Sequence, residues 1–229
     1  MGLLDFVKGK NKVAEGTVED ADNNLYHTVA IGDQIWTVEN LRTTRYCDGS
    51  AIPLVTETSE WEYRKIPAYC WYGNNRSKNK KYGALYNWYA VNTGKLAPKG
   101  WHVPTDDDWG VLWNYLVVNG YSYDGRKGGD ETARSMAAKT DWTGSNGSGT
   151  IGDDLSKNNS SGFSALPGGA RSFHGDFMDI GIRCRMWCAT EVDESFAWVR
   201  DLHHGYKKIE ILRDYKCCGY SVRLLRPLM

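Results

Sequence analysis

The side chains of this chain with the greatest capacity for chemistry are cysteines and histidines close to its C-terminal end. They are Cys184, Cys188, His203, His204, Cys217 and Cys218. Thiolate sulfur and imidazole nitrogen are preferred ligands of zinc, so a zinc site can be drawn from them. However, adjacent residues of a strand point to opposite faces, and a disulfide between neighbouring cysteines needs strained geometry. The pattern therefore favours neither a zinc ion shared by the two histidines nor a redox pair, and we expect no resident metal.

A second kind of chemistry could come from a run of three acidic residues. Asp106, Asp107 and Asp108 could serve in general acid–base catalysis or in metal binding. They directly follow Thr105, and a threonine with an acid three residues later is typical of a helix N-terminus with a capping box. Carboxylates in the first turn are also favoured by the helix dipole. We therefore interpret the run as the start of a helix.

Asp153 and Asp154 lie in a segment rich in Gly, Ser and Asn, residues 143–161. Hard oxygen ligands in a flexible loop suit calcium, so this ion remains an alternative, although no specific motif supports it. The glycines are not followed by the Gly-Lys-Ser/Thr of a phosphate-binding loop, and there is no Gly-x-Ser-x-Gly nucleophile elbow with a partner histidine. We predict a surface loop here, no cofactor, and no enzymatic activity.

The strongest structural signal is the segment from Tyr82 to Leu116, which is rich in tryptophan and tyrosine. Within it, apolar residues recur with the spacing of one helix face. They are Trp109, Leu112, Trp113 and Leu116. We expect a helix that begins after Thr105, buries this stripe in the core and stops at Asn119–Gly120.

Short strands and a second helix are expected around this segment. Leu25–Val29 and Gln34–Val38 flank a Gly-Asp pair in the pattern of a β-hairpin, and Asp130–Lys139 predicts a shorter helix. Further strands are predicted at Trp187–Thr190, Phe196–Val199, Lys208–Leu212 and Tyr220–Leu225. Two helices and many short, mostly antiparallel strands predict an α+β fold. We expect residues 1–15 to be an N-terminal tail and residues 16–229 to form one domain.

Charge and hydropathy exclude several classes of partner. Lys+Arg and Asp+Glu both number 28, so no basic field predicts nucleic-acid binding. The sequence has no apolar run long enough to span a bilayer, so no membrane insertion is expected. The N-terminal residues lack the features of a secretory signal, which predicts a protein that is cytoplasmic as synthesised and has reduced thiols.

Several segments together carry a resemblance to a known family. They are VAIGDQIWTVENLRTTRYCDGSAIP, YCWYGNN, YGALYNWYAVNTGKLAPKGWHVPTDDDW, SGFSALPGGARS, WCATE and GYSVRLLRP. From about Val18 to Pro227 the chain resembles the Fibrobacter succinogenes major paralogous domain. The resemblance implies a C-type-lectin-like fold related to the formylglycine-generating-enzyme branch, whose "LPTEAEW" is echoed by the residues from Val103 to Trp109.

The resemblance also implies a role in ligand recognition. Members of this lectin-like group serve as variable proteins of diversity-generating retroelements, in which adenine-directed mutagenesis rewrites selected codons near the C-terminus. The region that would vary here is residues 171–220, between frame residues that match the family pattern. The residues expected to contact ligand are His174, Asp176, Asp179, Ile182, Cys184, Arg185, Phe196, Asp201, His203, His204, Tyr206, Arg213, Asp214 and Tyr215. Asn and Ser codons reach Cys by adenine changes alone, which would explain the late cysteines.

The predicted function is therefore recognition of a protein or glycan ligand on a target surface, with display on a phage particle or a cell surface. Two alternatives remain open. One is an adhesion or structural paralogue of fixed sequence. The other is an oxidoreductase of the formylglycine-generating type, which would need a reactive cysteine pair; Cys184 and Cys188 do not match that family context.

Overall fold

The computed structural model describes residues 16–228, and the tail predicted over residues 1–15 lies outside this part of the chain. The strands are β1 (Thr17–Glu19), β2 (Leu25–Ile31), β3 (Gln34–Thr37), β4 (Tyr69–Cys70), β5 (Leu85–Tyr86), β6 (Gly168–Arg171), β7 (Phe177–Ile180), β8 (Arg183–Glu191), β9 (Phe196–His203), β10 (Glu210–Tyr215) and β11 (Leu225–Pro227). The α-helices are α1 (Thr58–Trp61), α2 (Arg76–Asn79), α3 (Trp88–Val91), α4 (Asp106–Val118) and α5 (Ala133–Met136). Few helices and mostly antiparallel strands confirm the predicted α+β class.

Three sheets organise these strands. The first has the order β1-β2-β3-β11, so the last strand closes against the N-terminal hairpin. The second has the order β10-β9-β8-β6-β7 and carries most of the predicted variable region, while β4 and β5 form a small ribbon. All pairs are antiparallel except β6 with β8, which are parallel. The predicted ligand-contacting residues therefore lie on or beside one sheet, and β10 is one of its two edge strands.

The predicted N-terminal hairpin is confirmed. Strands β2 and β3 pair with Ile31 opposite Gln34, which leaves Gly32 and Asp33 as a two-residue loop. Gly32 adopts φ +60°, a conformation that glycine takes at little cost.

Helix α4 begins and ends where the sequence predicts. The hydroxyl of Thr105 accepts a hydrogen bond from the Asp108 N–H (3.2 Å), and the Asp108 carboxylate accepts one from the Thr105 N–H (2.9 Å). This capping box satisfies backbone donors that a helix N-terminus leaves without partners. Asn119 caps the C-terminus, and Gly120 follows at φ +77°. The acidic run is thus the helix start.

The apolar stripe of α4 is only partly as predicted. Trp109, Leu112 and Leu116 are buried, and the Trp109 ring lies 4.8 Å from that of Trp36. The placement of Trp113 in the core is wrong, because its side chain is 44% exposed. Successive helical residues are rotated by about 100°, so Trp113 stands at the margin of the face that Leu112 and Leu116 bury.

Two further predicted elements are shorter than expected. The helix predicted over Asp130–Lys139 is confined to the single turn α5. It ends because Ala137 becomes extended and pairs with Ala165, although Ala133 and Met136 do form the predicted buried face. The strand predicted over Tyr220–Leu225 is also reduced, since only Leu225 belongs to β11.

The residues predicted to form one strand, Tyr220–Leu225, instead pair with several different parts of the chain. Tyr220 forms a bridge with Tyr86, and Ser221 forms one with Met186 of β8. Both residues are buried, so this stretch of backbone passes through the interior and pairs with a different neighbour at each step.

A buried arginine attaches the predicted variable region to the N-terminal half. Arg171, at the end of β6, donates from Nη1 to Val55 O (2.7 Å), from Nη2 to Thr56 O (2.8 Å) and from Nε to Gly175 O (2.9 Å). Its guanidinium also lies 4.5 Å from the Trp61 ring centroid. Because these partners are backbone carbonyls and a buried ring, the turn that follows Arg171 is held in one position.

Residues 143–161 form the predicted loop, interrupted by one 3-10 turn at Leu155–Lys157. The carboxylate of Asp153 accepts from the Gly149 N–H (2.9 Å), and that of Asp154 accepts from the Ser156 N–H (3.1 Å). Among residues 16–228, no group of three His, Cys, Asp or Glu side chains could hold a metal ion. Likewise, the helices of this part of the chain include none that is long and apolar enough to cross a membrane.

Candidate ligand-binding face

Strands β8 and β9 bring charged residues of the predicted variable region together. Arg183 pairs in register with His203, and Arg185 pairs with Asp201. On the other side of β9, Glu210 of the edge strand β10 pairs with Asp201. Directly opposed residues of antiparallel strands project from the same face of a sheet. We define the charged cluster as Asp179, Arg183, Arg185, Asp201 and Glu210.

Asp201 is the centre of the charged cluster. Its side chain has 0% exposure and accepts a hydrogen bond from Arg183 Nη1. Arg185 Nε lies 3.9 Å from the same carboxylate, and Arg185 Nη2 lies 3.4 Å from Asp179 Oδ2. Arg183 also reaches Glu210 Oε2 at 3.7 Å. Two guanidinium groups therefore bridge three carboxylates.

The charged cluster is not fully hydrogen-bonded. Asp201 Oδ1 and Arg185 Nε are buried and have no hydrogen-bond partner among residues 16–228. Burial raises the pKa of Asp201 to about 6, and the opposing effect of Arg185 and Arg183 does not cancel this shift. The cluster thus keeps unused hydrogen-bonding capacity directly beneath the surface that β8 and β9 present.

Three rings lie at the outer end of the charged cluster. The His203 ring centroid is 4.6 Å from that of His204 and 4.3 Å from that of Tyr206. The expectation that the two histidines face apart is wrong, because His203 is the last residue of β9 and the alternation of a strand stops there. Burial, with a further contribution from Arg183, lowers the pKa of His203 to about 4. The Gly205 N–H donates to His203 Nδ1 (3.1 Å), so Nε2 of the neutral ring is left as a donor.

Aromatic side chains gather at the other end of β9. Phe196 pairs in register with Tyr215, and their ring centroids are 4.5 Å apart. The Phe173 ring lies 4.9 Å from Tyr215 and 4.1 Å from His174. We define the aromatic cluster as Tyr63, Phe173, His174, Phe196 and Tyr215. Because His203 comes seven positions after Phe196 and each step along a strand is ~3.3 Å, the aromatic rings and the imidazoles stand roughly 20 Å apart along β9.

A cavity of about 210 Å³ opens beside the aromatic cluster. Its wall combines Tyr215, Glu194 and Ser195 from the C-terminal part with Tyr63 and Tyr89 from the N-terminal part. Tyr63 is 55% exposed and Tyr215 is 41% exposed, so both rings are accessible to a ligand. Sequence reasoning missed Tyr63 and Tyr89, because neither lies near the predicted variable region in the chain.

Two residues predicted to contact ligand are buried. Cys184 is 0% exposed on the core side of β8, opposite Leu202 of β9, so its assignment to the binding surface is wrong. Asp201 is also 0% exposed, and its carboxylate contacts the guanidinium groups of Arg183 and Arg185, which are partly exposed. Asp214 is half-buried, and its carboxylate accepts a hydrogen bond from the buried Tyr220 hydroxyl.

The remaining predicted residues lie on the periphery. Asp176 is exposed in the turn after Arg171, and Ile182 is half-buried with its carbonyl bonded to the His204 N–H (2.9 Å). Arg213 is exposed on the edge strand, and its guanidinium lies 5.5 Å from the Phe196 ring centroid. The structure therefore divides the predicted site between the two ends of β9 and does not gather it into one pocket.

The late cysteines are not arranged for thiol chemistry. Cys184, Cys188, Cys217 and Cys218 are free and buried, and burial raises the pKa of each thiol. A raised thiol pKa disfavours the thiolate, which is the reactive form.

The acidic run Asp106–Asp108 also has a structural role. Asp106 is bonded to the guanidinium of Arg200, which also contacts Cys188 Sγ at 3.4 Å. The Asp106 carboxylate therefore links α4 to β9, and this role accounts for it without invoking catalysis.

One comparison with known proteins identifies a family. A family model described as the Fibrobacter succinogenes major domain matches residues 29–226. No curated protein and no solved structure matches the chain.

Proposed function

The chain belongs to the Fibrobacter succinogenes major domain family, and from this premise we propose that it is a ligand-binding protein. In this proposal residues 171–220 carry the specificity, and the rest of the chain is the scaffold that presents them. The C-type-lectin-like classification and diversification by a retroelement belong to the same proposal. The protein would act as a recognition module on a phage particle or a cell surface.

The observation that carries the proposal is the separation of surface residues from supporting residues in this region. Along β10 the side chains of Ile211, Arg213 and Tyr215 are exposed, while the alternate residues are half-buried. Supporting residues such as Trp187, within the region, and Arg223, just after it, are almost fully buried. Exposed positions on such a scaffold can change without loss of packing, which is what a variable binding surface requires.

The ligand class follows from the exposed side chains. Tyrosine, arginine and histidine offer large contact areas together with hydrogen-bonding groups, and interface centres are enriched in tyrosine and arginine. Tyr206 and Tyr215 are each 41% exposed, and Arg213 lies beside the second ring on the same strand. A protein or glycan on a target surface is therefore the ligand that we propose.

The buried cysteines agree with diversification but do not require it. Cys184 and Cys188 occupy interior positions, where the cysteine that adenine changes in an Asn or Ser codon would produce packs as a small apolar residue. Ordinary divergence of a paralogue of fixed sequence could have produced the same residues. That paralogue, with an adhesive or structural role, is the alternative.

Binding is tested by removing exposed rings without disturbing the interior. The variant carrying His174→Ala, Tyr206→Ala and Tyr215→Ala should lose capture of glycans on an array and of intact bacterial cells, while its Tm stays within a few degrees. Asp214 is left intact because its carboxylate is bonded to the buried Tyr220 hydroxyl, so its loss would confuse folding with binding. Wild-type protein that binds neither probe, or a triple variant that binds as well as wild type, would contradict the proposal.

Diversification is tested separately on the encoding DNA. A nearby near-copy of the segment for residues 171–220 that differs only at adenines, together with a reverse transcriptase gene, would support it. Absence of both favours the paralogue of fixed sequence and leaves the binding experiment unaffected.

A further inference from the structure

A further cavity lies outside both clusters. It is a cleft of about 620 Å³ between the segment of residues 72–82, which includes α2, and the end of β7 at Ile180–Gly181. We define the basic cleft by six of its lining residues, Tyr72, Asn75, Lys78, Asn79, Lys81 and Tyr82. Its volume falls within the roughly 300–1,000 Å³ typical of sites for small molecules.

The charge of the basic cleft is strongly one-sided. The segment of residues 72–82 contains one arginine and three lysines and has no aspartate or glutamate. Lys81 is paired with Asp141, whereas Lys78 and Lys80 take part in no ion pair with any residue between 16 and 228. Since the whole chain has a net charge of zero, this concentration of cations is local. An anion that enters the cleft meets the unpaired ammonium group of Lys78, whereas the carboxylate of Asp141 beside the cleft is bonded to Lys81 and Tyr82.

The floor of the cleft is rigid and carries polar groups. Asn79 is 7% exposed and is fixed by a hydrogen bond from Nδ2 to Tyr72 O (2.8 Å). The Tyr72 ring packs 5.3 Å from the Phe177 ring, and a Cβ on Gly169 would come within 2.8 Å of it. Tyr82 is held by a hydrogen bond from its hydroxyl to Asp141 (3.2 Å).

These groups match one chemical class of ligand. Half-buried tyrosine rings provide flat apolar surfaces, asparagine amides hydrogen-bond to hydroxyl groups, and lysine binds a carboxylate or sulfate as a point charge. We propose that the basic cleft binds an acidic saccharide, a sugar that bears a carboxylate or a sulfate group. Nucleic acid fits less well, because its binding calls for a basic stripe over a larger surface. The inference stands apart from the proposed function, since none of the six residues belongs to either cluster.

The experiment is a calorimetric titration of the full chain with defined saccharides. A galacturonate oligosaccharide supplies carboxylates, a heparin-derived oligosaccharide supplies sulfates, and a malto-oligosaccharide is the neutral control. Binding of at least one acidic saccharide, weakened by added salt, is expected, and the stronger of the two identifies the anion. Equal binding of the neutral saccharide would overturn the proposal, because the sugar alone would then account for binding. Equal binding of poly-L-glutamate would also overturn it, because negative charge alone would then suffice.

A matched pair of variants locates the site. Lys78→Glu reverses the unpaired charge of the cleft and should weaken binding by roughly tenfold or more, because an attractive contact becomes a repulsion. Lys99→Glu makes the same charge change at another exposed lysine, outside the cleft, and should stay within about twofold of wild type. Equal loss in both variants would refute the cleft as the site, provided that both have the wild-type Tm.

The same titration separates this inference from the proposed function. The His174, Tyr206 and Tyr215 triple-alanine variant should bind the acidic saccharide as wild type does. If it loses that binding, the saccharide occupies the predicted variable face and the basic cleft is not the site.

Discussion

The guanidinium of Arg183 on β8 donates to the carboxylate of Asp201 on β9, and that carboxylate has no exposed surface. The two residues lie on adjacent strands, where Arg183 is opposite His203 in register and its guanidinium is 6.0 Å from the Tyr206 ring centroid. A buried charge that keeps one oxygen without a partner is costly, so its environment controls when it ionises. This relationship makes the stability of the face sensitive to pH.

Stability should depend on pH through two groups with opposite signs. The pKa of Asp201 is raised from 3.8 to about 6, so its contribution is fully present below pH 3.8 and is lost as pH rises through 6. The pKa of His203 is lowered from 6.5 to about 4, so its contribution is present above pH 6.5 and is lost as pH falls through 4. The two effects oppose each other between about pH 4 and 6 in the wild type.

Single variants should expose each effect in urea unfolding measured across this window. In Asp201→Asn only the histidine remains, so the free energy of unfolding should fall as pH is lowered. In His203→Gln only the aspartate remains, so the free energy of unfolding should rise as pH is lowered, relative to that of Asp201→Asn. If the free energy of unfolding depends on pH in the same way in both variants, the pKa values of Asp201 and His203 are not shifted as described.

Trp109 and Trp113 offer a matched pair on one helix. Trp109 is 2% exposed against Trp36 and Phe163, so Trp109→Ala should cost about 3–5 kcal/mol in free energy of unfolding. Trp113 is 44% exposed, so Trp113→Ala should cost less than about 1 kcal/mol. Chemical denaturation of both variants checks this, and similar losses would mean that Trp113 is buried after all.

Arg223 should not tolerate lysine. It is 1% exposed, and its guanidinium donates to Thr37 O (2.6 Å), Phe163 O (2.9 Å) and Ser164 O (3.1 Å) as well as to Asn40. A single ammonium cannot reach all of these acceptors, so Arg223→Lys should lose about 2–4 kcal/mol of stability. The control is Arg226→Lys, because the half-buried Arg226 has fewer partners, donating to Pro227 O (3.3 Å) and lying 5.5 Å from the Trp101 ring centroid. If thermal unfolding shows that the two variants lose stability equally, the hydrogen bonds of the Arg223 guanidinium do not stabilise the fold as proposed.

Thiol labelling should count one reactive cysteine in the native protein. Cys47 is exposed, whereas Cys70 and the four late cysteines are buried. Burial raises the pKa of Cys184 and Cys188 to about 12, which suppresses the reactive thiolate. Native protein should therefore react with Ellman's reagent at a single thiol, and Cys47→Ser should remove that reaction. Rapid labelling of Cys184 or Cys188 would instead revive the oxidoreductase alternative.

Local signals in the sequence determined several elements of this protein. The capping box of Thr105 and Asp108, the hairpin turn at Gly32 and the buried face of α5 were all predictable, because each depends on residues within a few positions of one another. The family was also accessible from motifs distributed along the chain, and the model match over residues 29–226 confirms it.

The composition of the candidate face was decided only by tertiary structure. Residue type alone did not predict that Cys184 points into the core while Arg185 and Asp201 share the opposite face of the sheet, because strand register determines which face a residue occupies. Nor did sequence position predict that Tyr63 joins Phe173, whose backbone carbonyl accepts from its N–H (3.1 Å). Local geometry follows from neighbours in the chain, whereas a surface assembled from distant segments exists only once the sheets have closed around their shared core.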